Sequence, residues 1–410
     1  MKVAYITIAD PASVSAWSGT NHGIFRALSM QKGVEVIPVG PLSSAHVWVS
    51  KAKALAHRAL TPGRRYLWTR DPRLLRGYAR HASELLRDID HDIVFSPGTE
   101  PLAFLETDKP VVSWSDAPFA AMVGYYPWYS NLCSPTLREG AEVDTRALSR
   151  CDLAIYSSQW ACDSAVSRHG ADPAKLRVIP FGANLSSDVT DENLPLLIES
   201  RMQSPWRFLL VAVEWHRKGA DIVLEVVKEL NRRGYPSGMI VAGVQPSKLQ
   251  QPLPECLKLA GFFDKNTEEG RRGLRDLYRA ATFYFMPSRA EATAIVYCEA
   301  NSFGVPCLAS KTGGTPSLIE DGVNGWCFPL DAQVGDYADR IISVMAGGEY
   351  PQWARNALRI SRERLNWASS GARLCAALAE VLASRRSPAS TAVNSEERAN
   401  LAHFSSQSPS

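Results

Sequence analysis

Residues 283–328, FYFMPSRAEATAIVYCEANSFGVPCLASKTGGTPSLIEDGVNGWCF, constrain the chain more than any other stretch, because strand, loop and helix signals alternate in them at short spacing. FYFMP (283–287) is an apolar run of strand length stopped by proline, so its C-terminal end is an edge where a ligand can sit. Glu291 follows in a short loop. A small-residue turn, Ala292-Thr293-Ala294, then leads into a run with helical spacing (Ile295, Val296, Cys298, Ala300, Phe303) that carries a second carboxylate, Glu299. PCLAS (306–310) reads as another strand, Lys311 to Thr315 as a loop, and Ser317 to Asp321 as a helical turn.

The chemistry of this pattern favours a polyanion flanked by sugars. Backbone N–H groups at a helix start, near Thr293 to Ile295 and near Gly314 to Pro316, can hold phosphate oxygens, and glycine lets the backbone come close. Two glutamates beside a phosphate site would repel it unless they serve other groups, and carboxylates accept well from paired sugar hydroxyls. At a helical rise of about 1.5 Å per residue the two lie on the order of 10 Å apart, which suits the two sugars of a nucleotide diphosphate sugar.

Glu-x7-Glu, followed by FGVPCLAS, GG and DGVNGWCF, resembles the donor-site block of the retaining family-four glycosyltransferases of GT-B fold. The resemblance implies an α/β chain of two Rossmann-like, doubly wound domains facing across a cleft, with a C-terminal helix crossing back to the first domain. It implies that Glu291 contacts the transferred sugar, that Glu299 holds the ribose, and that Gly313, Gly314 and the amides of Thr293, Ala294 and Ile295 grip the diphosphate. No metal and no resident cofactor are expected; the nucleotide diphosphate sugar is the donor substrate. The acceptor is then a glycan, a lipid-linked sugar or a small molecule. Two other readings fit the same cleft: a GT-B phosphorylase or nucleotide-sugar epimerase, and a non-catalytic nucleotide-sugar-binding protein.

The rest of the chain is consistent with this plan. Its 410 residues exceed what one core usually supports, and 45% hydrophobic with 21% charged residues is the balance of a globular protein. No run approaches membrane-spanning length, MKVAYITIADPA turns acidic where a signal peptide would stay apolar, and the eight scattered cysteines read as buried thiols in a reducing compartment. A cytoplasmic protein is expected, either free or peripheral on the membrane's cytoplasmic face.

KVAYITI (2–8) is a buried strand, and WSGT (17–20) after it resembles the family's first glycine loop, which makes Gly19 a donor-binding candidate; a plain strand-to-helix turn is the alternative. From Lys51 to Arg80 nine Lys or Arg face a single acid, Asp71, with Trp48, Tyr66 and Trp68 interleaved. Such a stretch, taken as 48–80, suits either anionic lipid or acceptor, or the solvated face of a helix pair. A net charge of +3 gives no general excess for nucleic acid. DIDHD (88–92) does not follow a strand and reads as a solvated turn, so no metal site is expected there. Asp116 ends the strand VVSWS and either serves the acceptor hydroxyl or caps the next helix.

Residues 185–205 are polar and without clear period, a linker between domains at 1–184 and 185–365. RFLLVAV (207–213) opens the second sheet, and Arg217 and Lys218 follow where cations can neutralise a leaving diphosphate. The family's usual pattern places its arginine five residues before Lys-Gly, at Val213 here, so Arg217 is a variant assignment and Lys218 the firmer one. A last helical pattern runs over 353–382, the returning helix is taken as 366–383, and residues 384–410 have the composition of a disordered tail.

Overall fold

Alternate residues of the first strand serve opposite faces: Ala4 and Ile6 pack into one core while Val3 and Tyr5 pack into another. Such two-sided burial is the signature of a parallel sheet covered by helices on both faces. The computed structural model describes residues 1–11, 13, 16–246, 249 and 252–386. The first sheet consists of β1 (Lys2–Ile6), β2 (Glu35–Val39), β3 (Ile93–Ser96), β4 (Val111–Ser115), β5 (Leu153–Tyr156) and β6 (Leu176–Val178), in the order β2-β1-β3-β4-β5-β6. A second consists of β7 (Trp206–Val211), β8 (Ser237–Ala242), β9 (Leu257–Gly261), β10 (Phe283–Met286), β11 (Cys307–Ser310) and β12 (Gly325–Phe328), ordered β12-β11-β10-β7-β8-β9. Every ladder is parallel.

These are two doubly wound α/β domains facing across a cleft, the GT-B architecture, and β10 and β11 fall where the apolar runs place them. Leu374, Leu378 and Val381 of the final helix Trp367–Arg386 complete a core of the first sheet, so the C-terminus does return to the N-terminal domain.

Three expectations need correction. Residues 185–205 are not simply linker: helix Leu194–Met202 buries Leu194 and Ile198 in the second core. Its Arg201, 0% exposed, donates to the carbonyls of Arg279, Gly304 and Phe303 at 3.0, 2.9 and 3.0 Å. An arginine in an apolar face disguised the helical period. Next, the pattern 353–382 is two helices, Tyr350–Arg364 and Trp367–Arg386. Asn366 separates them: its amide donates to Ser361 O and Arg362 O, and its Oδ1 accepts Ser369 N. Finally, the last helix continues to Arg386; the remainder of the expected tail, 387–410, lies outside the described residues.

Trp367 sits where the chain crosses between domains. A Cβ on Gly23 or Gly182 would come within 2.4 or 2.2 Å of it, its indole donates to Asn184 Oδ1 at 2.9 Å, and Ala183 N donates to Leu365 O at 3.3 Å. The two crossings, Phe181 to Asn184 and Leu365 to Trp367, are thereby bonded side by side.

Candidate active site

The loop after β10 is held by both domains. Within the second, Tyr297 Oη donates to Met286 O at 2.7 Å and ties helix Ile295–Ser302 to the strand that precedes it. The loop 214–219 packs against the same strand end. Gly219, at φ 73°, is required there, because any Cβ would meet Pro287 O at 2.2 Å.

Glu291, 4% exposed, receives Lys218 Nζ in a short ion pair and lies 3.7 Å from Arg217 Nη1. Arg217 grips both oxygens of Glu214 at 2.8 Å and donates to Ala290 O at 3.0 Å. Glu299, fully buried in helix Ile295–Ser302, accepts Lys265 Nζ at 2.6 Å and Tyr278 Oη at 3.1 Å. Both carboxylates, both cations, and Thr293, Ala294 and Ile295 line one cavity of about 630 Å3. That volume lies within the roughly 300–1,000 Å3 of ordinary ligand pockets.

Four other candidates are placed differently. Gly313 and Gly314 do not line the cavity. Gly313, at φ 50°, backs onto Glu291 O, and Gly314 N donates to that carbonyl at 3.1 Å. They support the Glu291 loop from below. The turn after them, Thr315–Ser317, is a single 3-10 turn with no extended helix behind it. Gly19 caps helix Thr20–Ser29 at φ 84°, and its neighbours Trp17 and Thr20 line the cavity instead.

Asp116 borders a second chamber of about 230 Å3, which meets the first at Trp17. Its side chain accepts Ala117 N at 2.8 Å and Trp17 Nε1 at 3.3 Å and does not cap the following helix. The buried Asp144 accepts Phe119 N in that role. Burial pushes the Asp116 carboxyl up to about 6 against those hydrogen bonds.

Sequence reasoning missed the contribution of the first domain. Tyr125 Oη accepts Glu291 N at 2.8 Å and meets Thr312 Oγ1 at 2.8 Å, while Tyr126 Oη accepts Ala292 N at 2.7 Å and lies 3.5 Å from Glu291 Oε1. Burial raises the Tyr126 pKa far above the ordinary phenol value, so it remains a hydrogen-bond donor. The Glu291 and Ala292 amides are thus engaged by the first domain, while the next residues, Thr293 to Ile295, line the cavity. The only hint in the sequence is the aromatic density of GYYPWY (124–129), which follows neither strand nor helix period.

Around DIDHD, Asp90 pairs with Lys2 Nζ at 2.7 Å and Asp92 accepts Lys2 N at 2.7 Å. Among the described residues no group of three His, Cys, Asp or Glu is placed to hold a metal ion, and no helix is long and apolar enough to cross a membrane.

The family model for glycosyltransferase family 4 matches residues 30–187, and that for glycosyl transferases group 1 matches residues 200–359, the half that carries both glutamates and both cations. The chain belongs to the group 1 glycosyl transferases of family-four type. Among its relatives in this family, D-inositol 3-phosphate glycosyltransferase of Mycolicibacterium smegmatis is 29% identical over 222 residues, 52% of this chain and 49% of that protein. The enzyme of the same name from Gordonia bronchialis is 25% identical over 236 residues, 55% and 51% of the two chains. The chain thus spans about half the length of the curated relatives it matches.

Solved glycosyltransferase structures cover nearly all of it. Anabaena Alr3699/HepE in complex with UDP-glucose aligns at TM-score 0.59 and 17% identity over 93% of this chain and 100% of that one. Sucrose-phosphate synthase from Thermosynechococcus elongatus aligns at TM-score 0.63 and 14% identity over 93% and 99%. At such identities the likeness concerns the fold.

Proposed function

We propose that the protein transfers a sugar from a nucleotide diphosphate sugar to an acceptor hydroxyl, with retention and without metal, in glycan, polysaccharide or glycolipid synthesis. The observation that carries this is the convergence of buried Glu291 and Glu299 with Lys218 and Arg217 on one cavity large enough for a nucleotide sugar. In this reading Glu299 takes the ribose hydroxyls and Glu291 the donor sugar. Lys218 spends one of its three N–H donors on Glu291 and offers the others to the diphosphate, beside Arg217 and the Thr293–Ile295 amides.

The bond between the anomeric carbon and the diphosphate oxygen breaks, the acceptor oxygen bonds that carbon from the same side, and the acceptor proton passes to the departing diphosphate. The ion pair to Lys218 keeps Glu291 from acting as a free nucleophile, which supports a front-side course. Asp116, across Trp17, orients the acceptor hydroxyl. The named relatives act on D-inositol 3-phosphate and HepE is described with UDP-glucose, so UDP-sugars are the first donors to try. A panel of nucleotide sugars, read by nucleoside diphosphate release and by thermal shift, tests the reading. It fails if none is bound, or if Glu291→Ala and Lys218→Ala turn over like wild type.

The same proposal places the enzyme on the cytoplasmic membrane face through helix Val47–Leu60. Only Ser50 of its fourteen residues is buried. Trp48, Ala52, Leu55, Ala56 and Ala59, at helical spacing, form an apolar stripe facing solvent, with Trp48 and Leu55 79% and 68% exposed. Lys51 and Arg58 flank it, giving an in-plane amphipathic helix for anionic lipid. The basic stretch is smaller than its sequence implies: Arg70 is buried against Asp144, Lys53 pairs with Glu139, and Arg65 donates to the carbonyls of Pro127 and Ser130.

A further inference from the structure

The chamber beyond Trp17 has a charge balance that bears on what is glycosylated, an inference that rests on the transferase reading above. Its walls are the strand ends after β3 and β4, residues 97–100 and 115–117, closed by Arg70, Met122 and Tyr129. Trp17 borders both cavities, so a group held in the chamber lies next to the donor sugar site. At about 230 Å3 the space falls below the usual range for drug-sized ligands and admits one ring.

The chamber's cation is already engaged. Arg70, 7% exposed, donates to Asp144 Oδ1 at 2.6 Å and pairs with Glu100 Oε1 at 3.0 Å. Asp144 cannot swing away, since it also accepts Thr99 Oγ1 at 2.7 Å and Phe119 N at 2.5 Å. Two carboxylates, Asp144 and Glu100, therefore hold the one guanidinium, and a third, Asp116, lines the same chamber. Among the described residues an incoming phosphate would find no uncommitted positive partner there, and it would meet two carboxylates, Glu100 and Asp116, at the walls. Hydroxyl donors find the reverse. Each carboxylate offers about four acceptor positions, so Glu100 and Asp116 retain lone pairs beyond those used by Arg70, Ala117 and Trp17. Trp17 supplies an apolar ring at the boundary, against which the C–H face of a sugar or cyclitol packs.

We infer that the unit glycosylated is a neutral, hydroxyl-rich ring without phosphate, held through hydroxyls on Glu100 and Asp116 in the chamber behind Trp17. Anionic groups elsewhere on a larger acceptor remain outside the chamber. The selection works by exclusion: one like-charge contact at an effective dielectric of about 20 costs more than a tenfold preference.

The test pairs each neutral compound with its monophosphate, glucose with glucose 6-phosphate and myo-inositol with inositol 3-phosphate. The full chain is used with whichever nucleotide sugar it hydrolyses fastest. Transfer is expected to favour the neutral member by at least roughly tenfold in kcat/KM. Glu100→Gln is expected to shrink that ratio. Preference for the phosphorylated member in the wild type overturns the inference, as does an unchanged ratio in a Glu100→Gln protein that still binds the nucleotide. If that variant does not fold, the wild-type pairs decide alone. Failure to bind or hydrolyse any nucleotide sugar would instead refute the transferase reading, so the two failures are separable.

Discussion

The hydroxyl of Tyr126, from the first domain, accepts the backbone N–H of Ala292, from the second, at 2.7 Å, directly beside the carboxylate of Glu291. This bond spans the cleft, and the Arg217 guanidinium lies 5.1 Å from the same tyrosine ring. Tyr126→Phe keeps the ring and loses the bond, which is worth about 1 kcal/mol. Turnover is expected to fall about fivefold with a rise in donor KM, and small-angle scattering should show a more open molecule. Kinetics and scattering identical to wild type would mean the contact does not contribute to closure.

Lys218 and Glu299 should separate kinetically. Lys218→Ala removes a cation from the departing diphosphate and should lower kcat by about 10²–10³. Glu299→Gln weakens a ribose contact present throughout the reaction, so donor KM rises while kcat changes little. Steady-state kinetics with the best donor distinguish the two patterns, and equal effects on both parameters in both variants would contradict the roles.

The Asp116 carboxyl, raised to about 6 by burial with Glu100 and Tyr126 nearby, gives a pH signature. Ionised Asp116 is the form that accepts the acceptor's hydroxyl, so kcat/KM for the acceptor should fall below pH about 6. Stability runs the other way. The folded state binds this proton more tightly than the unfolded chain, so the contribution is complete below the ordinary carboxyl value of 3.8 and is lost as pH rises through about 6. Asp116→Asn should abolish the acid limb in rate and flatten the stability slope between those values.

Arg201→Ala should destabilise the second domain by on the order of 3 kcal/mol, because buried carbonyls at residues 279, 303 and 304 lose their donors. At about 2–4 °C per kcal/mol for a domain of this size, calorimetry resolves the change. A loss under about 1 kcal/mol would show that water replaces the guanidinium.

Replacing Trp48 and Leu55 with serine should abolish sedimentation with anionic vesicles while leaving donor hydrolysis intact, since both side chains face solvent. Wild-type binding should weaken as salt rises, by loss of about 1 kcal/mol for each Lys or Arg near the surface. Equal binding by variant and wild type would leave the helix without a membrane role.

What could be read from the sequence followed the range of the interactions. Glu291, Glu299 and their strands are local: one strand end, one loop and one helix start specify them, and eight residues of spacing fix their relation. Lys218 was legible as a cation after a strand. Tyr125 and Tyr126 were not, because their partners lie 166 residues away and meet them only when the two sheets face each other; nor was Trp17, whose partner Asp116 lies 99 residues on, at another strand end of the same sheet. Gly313 and Gly314 were read as ligand-facing because a glycine that admits a phosphate and one that admits a neighbouring carbonyl look alike in sequence; the carbonyls are Glu291 O at Gly313 and Ala292 O at Gly314. Helix Leu194–Met202 was hidden because its most buried polar residue, Arg201, finds its acceptors in distant loops.

The paired crossings at Ala183 and Leu365 also limit how the cleft can open. A single connecting strand would let the halves swivel, tilt and slide independently. Two strands bonded together at one place, with Trp367 seated between Gly23 and Gly182, act as a pivot with a defined axis. Motion about that axis moves the far edges of both sheets most and the pivot least. The cross-cleft contacts of Tyr126 with Ala292 and Glu291 are then made or broken by rotation about that axis, and opening is all but confined to one coordinate.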